Sequence, residues 1–212
     1  MDAMSQLLEV LGRSRSLGFL GPGSVRVHIE HALGFAAGVE EPPARFLDLG
    51  SGGGVPGLVL ASHWVDAEAV LLDARERRCA FLLEVVQHLG IADRVGVECA
   101  RAEEAGRRDG LRGAFDLVVA RGFGRPAVTA ECGAPFLRVG GTLAVSEPPP
   151  DAGSEVVDDA AERWPPDQVA RLGLAPTSAW AESYRYQGLR QMEPCPPRFP
   201  RRPGVPTKRP LF

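Results

Sequence analysis

Residues 46–57 read Phe-Leu-Asp-Leu-Gly-Ser-Gly-Gly-Gly-Val-Pro-Gly. An apolar run that contains Asp48 is followed by five glycines, of which Gly50 is the first and Gly57 the last. Glycine adopts backbone conformations that other residues avoid, so the chain can turn tightly here and approach a ligand closely. The apolar residues 58–61 predict a helix whose free N–H groups face the turn. The stretch therefore predicts a nucleotide-type cofactor site at the first strand-to-helix turn of an α/β fold.

Short apolar runs alternate with helical patterns along the middle of the chain, which is typical of a parallel sheet covered by helices. Predicted strands cover 45–49, 68–73, 94–99, 115–120 and 139–145. Predicted helices between and after them cover 56–64, 75–89, 101–107 and 125–137. Further helices are predicted at 4–20, 24–38 and 154–163, and a closing strand pair within 174–192. Together these elements predict a mostly parallel seven-stranded sheet flanked by helices.

A chain of 212 residues is long enough for one domain with additions. We expect an N-terminal helical extension at 1–43, a cofactor-binding domain at 44–193 and a C-terminal tail at 194–212 packed on the same domain. The tail has seven prolines between Pro194 and Pro210. Proline removes a backbone donor and fixes φ, so we expect the tail to lie extended, without regular helix.

Charge is unevenly distributed along the chain. The net charge is −3, but residues 184–212 carry seven basic residues against Glu193 alone, which leaves the preceding part strongly acidic. A basic segment on an acidic body predicts contact with a polyanion. A solubilising, loosely packed terminus stays open as the alternative.

The composition also indicates the cellular compartment of the protein. No apolar run approaches the roughly 18 residues of a membrane span, and the N-terminus lacks a secretory pattern. The four cysteines are scattered without a Cys-x-x-Cys pair. They predict reduced thiols in a cytoplasmic protein that holds no metal and contacts no membrane. We further expect a monomer.

Two cofactors compete for the glycine loop. Gly52 to Gly57 formally match the dinucleotide pattern G-x-G-x-x-G, and Asp73 follows at the distance of a ribose-binding acid. S-adenosyl-L-methionine needs a similar turn but carries no phosphate. A carboxylate at Asp48 suits the positive amino and sulfonium groups of that cofactor and would repel a pyrophosphate. Arg101-Ala102-Glu103-Glu104 follows the third strand, where an adenine could be held. The sequence therefore favours S-adenosyl-L-methionine, with NAD as the alternative.

The chain resembles the RsmG (GidB) methyltransferases over roughly residues 24–212. The similar stretches are 46–57, Leu71-Leu-Asp-Ala-Arg-Glu-Arg-Arg78, Arg101-Ala-Glu-Glu104, Phe115-Asp-Leu-Val-Val-Ala-Arg121 and the tail 199–211. The Val-Pro-Gly ending of the loop together with the tail is the specific part. The resemblance implies a Rossmann-like class I methyltransferase that transfers a methyl group to guanine N7 in small-subunit (16S) ribosomal RNA, with that RNA or subunit as its partner.

The candidate cofactor-binding and RNA-binding residues are those at positions that match the family's motifs or lie at the ends of predicted strands. The resemblance implies that Gly50, Val55, Ala102, Glu103 and Arg121 contact the cofactor, and that Arg121 also faces the substrate as the catalytic candidate. The acids at the ends of the first two predicted strands, Asp48 and Asp73, and the loop residue Gly52 are further predicted cofactor-binding residues. The implied RNA surface consists of Arg101, Arg201, Arg202, Lys208 and Arg209.

Two positions depart from the family pattern near the substrate. His28-Ile-Glu-His-Ala-Leu33 stands where the family has His-x-x-Asp-Ser-Leu, so His31 replaces an acid. Glu147 stands after the fifth strand, where the family tends to have a lysine. Two alternatives therefore stay open: an enzyme that acts on another RNA site or a small molecule, and an RNA-binding relative without catalysis.

Overall fold

The computed structural model describes residues 3–148, 160–181 and 183–212. Its helices are α1 Ala3–Ser16, α2 Val25–Ala37, α3 Gly57–His63, α4 Glu76–His88, α5 Ala102–Ala105, α6 Pro126–Gly133, α7 Ala160–Arg163, α8 Pro166–Val169 and α9 Val205–Lys208. Its strands are β1 Arg45–Leu49, β2 Glu68–Asp73, β3 Val95–Cys99, β4 Phe115–Ala120, β5 Leu137–Ser146, β6 Leu174–Pro176, β7 Trp180–Ala181 and β8 Arg185–Gln191. Every helix in these ranges is too short or too polar to cross a membrane.

One sheet contains all of these strands, in the order β3-β2-β1-β4-β5-β8-β6. The first five are mutually parallel, and β8 runs antiparallel to β5. The short strands β6 and β7 pair with different residues of β8, on the side that β5 leaves open. They therefore share one edge position. The predicted mostly parallel sheet flanked by helices is confirmed, but it has eight strands rather than seven, because this edge position is divided between β6 and β7.

The parallel strands β1, β2, β4 and β5 each contribute side chains to two hydrophobic cores, because successive side chains point to opposite faces. Phe46 and Leu71 belong to the core under α1 to α4, whereas Leu47 and Leu72 belong to the core on the other face. All four side chains are almost completely buried. Both faces are therefore covered, and the carboxyl edge of the parallel strands is left for a site.

The N-terminal helices α1 and α2 pack on the first core through residues such as Leu11 and Phe35. Ser24 caps α2, its hydroxyl accepting a hydrogen bond from the Val27 amide. The sequence prediction extended α1 to residue 20, and this is wrong by four residues. Gly18 adopts a left-handed conformation with φ of 72°, which ends the helix.

The tail also differs from its prediction. It contains the four-residue helix α9, although we expected no helix there. Pro206 lies in the first turn of α9, where the missing N–H has no intrahelical partner to lose. The predicted helix at 125–137 ends at Gly133 and continues as a tighter turn through Phe136. Of the predicted helix at 154–163, residues 154–159 lie outside the described residues and 160–163 are helical.

Candidate active site

The glycine loop leaves β1 at the carboxyl edge of the sheet and is tied to β2. The Gly50 and Ser51 amides donate to the Leu72 carbonyl at 2.8 and 2.9 Å. Gly50 has φ of 77°, and a Cβ there would lie 2.7 Å from the Phe123 ring. A side chain at Gly57 would lie 2.5 Å from an oxygen of Asp48. The loop therefore needs glycine at both positions to pass this close to its neighbours.

Asp48 lies fully buried beneath this loop. Its Oδ2 accepts a hydrogen bond from the Gly57 amide at 2.8 Å, whereas Oδ1 is buried and has no hydrogen-bond partner in the described part of the chain. Burial raises the pKa of Asp48 to about 6. A buried carboxylate with one unpartnered oxygen is stabilised by a cationic group placed next to it.

Asp73 ends β2 and braces the loop from the other side. Its Oδ2 accepts from the Gly52 amide at 2.9 Å and its Oδ1 from the Arg75 amide at 2.8 Å. The Arg78 guanidinium lies 3.4 Å from the same carboxylate. Asp73 is only 5% exposed, so in this structure it shapes the loop rather than lining open space.

A cavity of about 1190 Å³ opens beside the loop, over the carboxyl ends of β1, β4 and β5. Among the predicted site residues, it is lined by Gly50, Gly52, Val55 and Arg121. Asp48 and Asp73 lie behind the loop that lines it. Ala102 and Glu103 are the first two residues of α5; they are buried and also lie outside the lining of the cavity.

Glu103 contacts the tail. Its Oε1 accepts a hydrogen bond from the Gly204 amide at 2.8 Å, and the Arg101 guanidinium lies 3.4 Å away. Gly204 directly precedes α9, so this contact holds the start of α9 against the carboxyl end of β3. The sequence predicted Glu103 beside an adenine, and nothing in the sequence signalled its link to the tail.

Arg121 follows β4 and enters the cavity next to α2. One of its guanidinium nitrogens lies 3.1 Å from His28 Nδ1, and His28 Nε2 lies 3.1 Å from the Gly21 carbonyl. A carbonyl only accepts, so Nε2 carries the proton and Nδ1 accepts from Arg121. Burial lowers the pKa of His28, which favours this neutral form. His28 therefore orients Arg121.

His31 and Glu147, the two departures from the family pattern, both line the cavity. The His31 ring stacks on Tyr184 with ring centres 4.1 Å apart, and burial lowers its pKa to about 4. On the other face of the sheet, Glu147 accepts from Trp164 Nε1 at 2.8 Å and pairs with Arg163 at 2.6 Å. Sequence reasoning did not identify Tyr184 or Arg163, because each is far in sequence from its partner.

The structure separates the predicted RNA-binding residues into two groups. Arg201 is occupied: its guanidinium and backbone amide donate to the carboxylate of Glu131, which is fully buried. Arg201 therefore anchors the tail to α6, and its contribution to an RNA surface stays a prediction. The remaining members are exposed: Arg101, Arg202, Lys208 and Arg209.

No cluster of three or more His, Cys, Asp or Glu side chains that could hold a metal ion occurs within 3–148, 160–181 and 183–212.

The fold resembles that of the O-methyltransferase from Bacillus cereus solved in complex with SAH, with a TM-score of 0.63, 18% identity, and coverage of 88% of this chain and 90% of that one. The protein therefore has the Rossmann-like fold of this methyltransferase.

The family follows from sequence. Residues 24–146 match the model of the GidB family, described as rRNA small subunit methyltransferase G. The ribosomal RNA small subunit methyltransferase G of Moorella thermoacetica is 38% identical over 196 residues, covering 88% of this chain and 78% of that protein. That of Symbiobacterium thermophilum is 35% identical, covering 86% and 78%. The chain belongs to the GidB family of methyltransferases, which confirms the resemblance.

Proposed function

We propose that this chain transfers a methyl group from S-adenosyl-L-methionine to N7 of a guanine in small-subunit ribosomal RNA. The observation that carries the proposal is that the glycine loop and Arg121 line the same cavity. Donor and acceptor need to meet in one space, and the loop and Arg121 line that space from two neighbouring strands. The names of the relatives from Moorella and Symbiobacterium support the RNA substrate.

The residues present fit this cofactor. Asp48 lies behind the glycine loop, and its unpartnered Oδ1 places a buried negative charge beneath a ligand that carries positive amino and sulfonium groups. The loop at Gly50, Gly52 and Val55 gives close access to the backbone. When bound, the cofactor supplies an electrophilic methyl group. Asp73, Ala102 and Glu103 complete the proposed set, after local rearrangement at Glu103, whose Oε1 contacts the tail.

Methylation of guanine N7 needs little acid–base help from the protein, because N7 carries a free lone pair. The protein has to align the acceptor with the methyl group, which is catalysis by proximity and orientation. Arg121 is the catalytic candidate because its guanidinium is held by His28 and faces the cavity. Its remaining N–H groups are placed to donate to a base oxygen or a phosphate.

The RNA backbone would contact the exposed basic residues of the tail. The bond between Gly204 and Glu103 holds α9 near the carboxyl end of β3, at the same edge of the sheet as the cavity. Arg202, Lys208 and Arg209 are exposed on and around α9, and Arg101 is half exposed beside it. These four cations give a phosphate-binding surface next to the proposed active site.

A methyl-transfer assay tests the function. Small ribosomal subunits from a strain that lacks guanine-N7 methylation are incubated with labelled S-adenosyl-L-methionine and this protein, and the labelled nucleotide is mapped. Label at N7 of one guanine supports the proposal. Label at another site supports an enzyme with altered specificity, to which the changes at His31 and Glu147 would point. Cofactor binding without transfer contradicts the proposed activity.

A further inference from the structure

Three rings form a column on the α2 side of the cavity. The His31 ring is parallel to that of Tyr184 within 6°, at 4.1 Å, and to that of Phe35 within 9°, at 6.4 Å. Phe35 is fully buried, whereas Tyr184 is half-buried and lines the cavity. Tyr186 supports the column, because its hydroxyl donates to the His31 carbonyl at 2.7 Å. The column therefore places the stacked rings of Tyr184 and His31 at the wall of the cavity, with Phe35 buried behind them.

Strand pairing places Tyr184 at the acceptor side of the site. Ala120 pairs with Val145, and Ser146 pairs with Tyr186, so the ends of β4, β5 and β8 lie side by side. Arg121 directly follows β4, and Tyr184 directly precedes β8. Along this edge the order is glycine loop, Arg121, Tyr184. A donor on the glycine loop thus leaves the space around Arg121 and Tyr184 for the acceptor.

The electrostatics of the column suit a base that becomes positively charged. The pKa of His31 is lowered to about 4, first by burial and then by Arg121, so His31 is neutral at neutral pH. A neutral pair of stacked rings does not repel a cation, and the face of a tyrosine ring attracts one. Methyl transfer to N7 moves the positive charge of the sulfonium onto the purine, while the donor leaves as a neutral thioether.

We propose that Tyr184, backed by His31, is the stacking platform for the acceptor base and a specificity-determining residue of this enzyme. The inference rests on the proposed function, since the platform requires a planar acceptor. A single-stranded or flipped-out base is commonly held by stacking on an aromatic side chain. Tyr184 favours the methylated, cationic purine over the neutral one and so stabilises the charge that develops during transfer.

Binding of mononucleotides tests the platform without relying on activity. The protein is saturated with S-adenosylhomocysteine and titrated with 7-methylguanosine monophosphate or with GMP, by calorimetry or NMR. We expect the wild type to bind the methylated nucleotide at least several-fold more tightly. Y184F keeps the ring and should bind both nucleotides within about threefold of the wild type. Y184L keeps much of the volume without the ring and should lose about tenfold or more in affinity for the methylated nucleotide.

Several outcomes would overturn the proposal: a wild type that binds neither nucleotide, a wild type that shows no preference for the methylated one, or a Y184L protein that binds as the wild type does. The wild-type preference is decisive even if Y184L does not fold, and S-adenosylhomocysteine affinity reports on folding of each variant. Failure of the proposed function looks different. In that case the nucleotides bind with the expected preference, but small subunits receive no label at guanine N7.

Discussion

Arg201 and Glu131 form the ion pair that fixes the tail to the body of the protein. The Arg201 Nη2 lies 2.6 Å from Glu131 Oε2 and Nε lies 2.8 Å from Oε1, while the Arg201 backbone amide donates to Oε1 at 2.8 Å. Glu131 is fully buried in α6. A charge at this depth requires its partner, because an unpaired buried carboxylate is strongly unfavourable.

Removing this partner should destabilise the fold. We expect Arg201→Ala to lower the free energy of unfolding by about 3 kcal/mol, the lower end for a buried pair because Arg201 keeps some solvent contact. Neighbouring Arg202 is exposed, so Arg202→Ala should change stability by no more than about 0.5 kcal/mol. Denaturant unfolding of both variants measures the difference. Equal stability of the two would show that the pair does not anchor the tail.

RNA binding should depend on the exposed cations instead. We expect the triple substitution of Arg202, Lys208 and Arg209 to glutamine to weaken binding to small-subunit RNA. The slope of log K against log salt should fall by about 2 to 3, since each phosphate contact contributes nearly one. Point substitution is preferable to removing residues 198–212, because Phe199 and Arg201 help to build the fold. An unchanged slope would reject the tail as the RNA surface.

The sheet was predictable because its signals are local. The predicted bounds 45–49, 68–73 and 115–120 coincide with β1, β2 and β4. Each of these strands is an apolar run with a polar or glycine-rich end, and a parallel sheet brings such ends to one edge. The glycine loop and Arg121 therefore line the same cavity, where the family resemblance had placed Arg121.

Contacts between distant segments were not predictable. The Glu103 carboxylate pairs with an amide 101 residues away, at Gly204, and the Tyr186 hydroxyl reaches His31 over 155 residues. Such pairs depend on how helices and tail pack on the sheet, and no short sequence pattern encodes that packing. Arg201 was predicted to lie on the surface for the same reason. Its partner Glu131 is 70 residues away in an otherwise apolar helix, so the sequence does not indicate the pair.

Arg121 should matter for turnover and much less for folding. We expect Arg121→Gln to slow methyl transfer by about 10²- to 10³-fold, as for the loss of one donor that stabilises a transition state. Arg26→Gln, an exposed arginine of the same helix that carries His28, is the matched control and should retain full activity. Single-turnover methyl transfer and thermal unfolding separate the two effects. Unchanged transfer in Arg121→Gln would remove Arg121 from the catalytic role.

The pH dependence of cofactor binding should report on Asp48. Its pKa is about 6 in the folded protein, above its ordinary value of 3.8, because burial disfavours the charged form. Folding therefore becomes less favourable as pH rises from about 4 through 6, since the native state binds the extra proton. A cationic ligand requires the ionised form, so affinity for S-adenosyl-L-methionine should rise by about tenfold between pH 5 and pH 7.

Asp48→Asn provides the matched control for this profile, since the amide oxygen can still accept from the Gly57 amide. Calorimetry from pH 5 to 7 should show a flat affinity for this variant and a smaller pH effect in the wild type with S-adenosylhomocysteine, which lacks the sulfonium charge. The variant should also gain stability relative to the wild type as pH rises from 4 to 7, because it has no buried charge to form. A wild-type affinity that is independent of pH would mean that Asp48 does not interact with the charge of the cofactor.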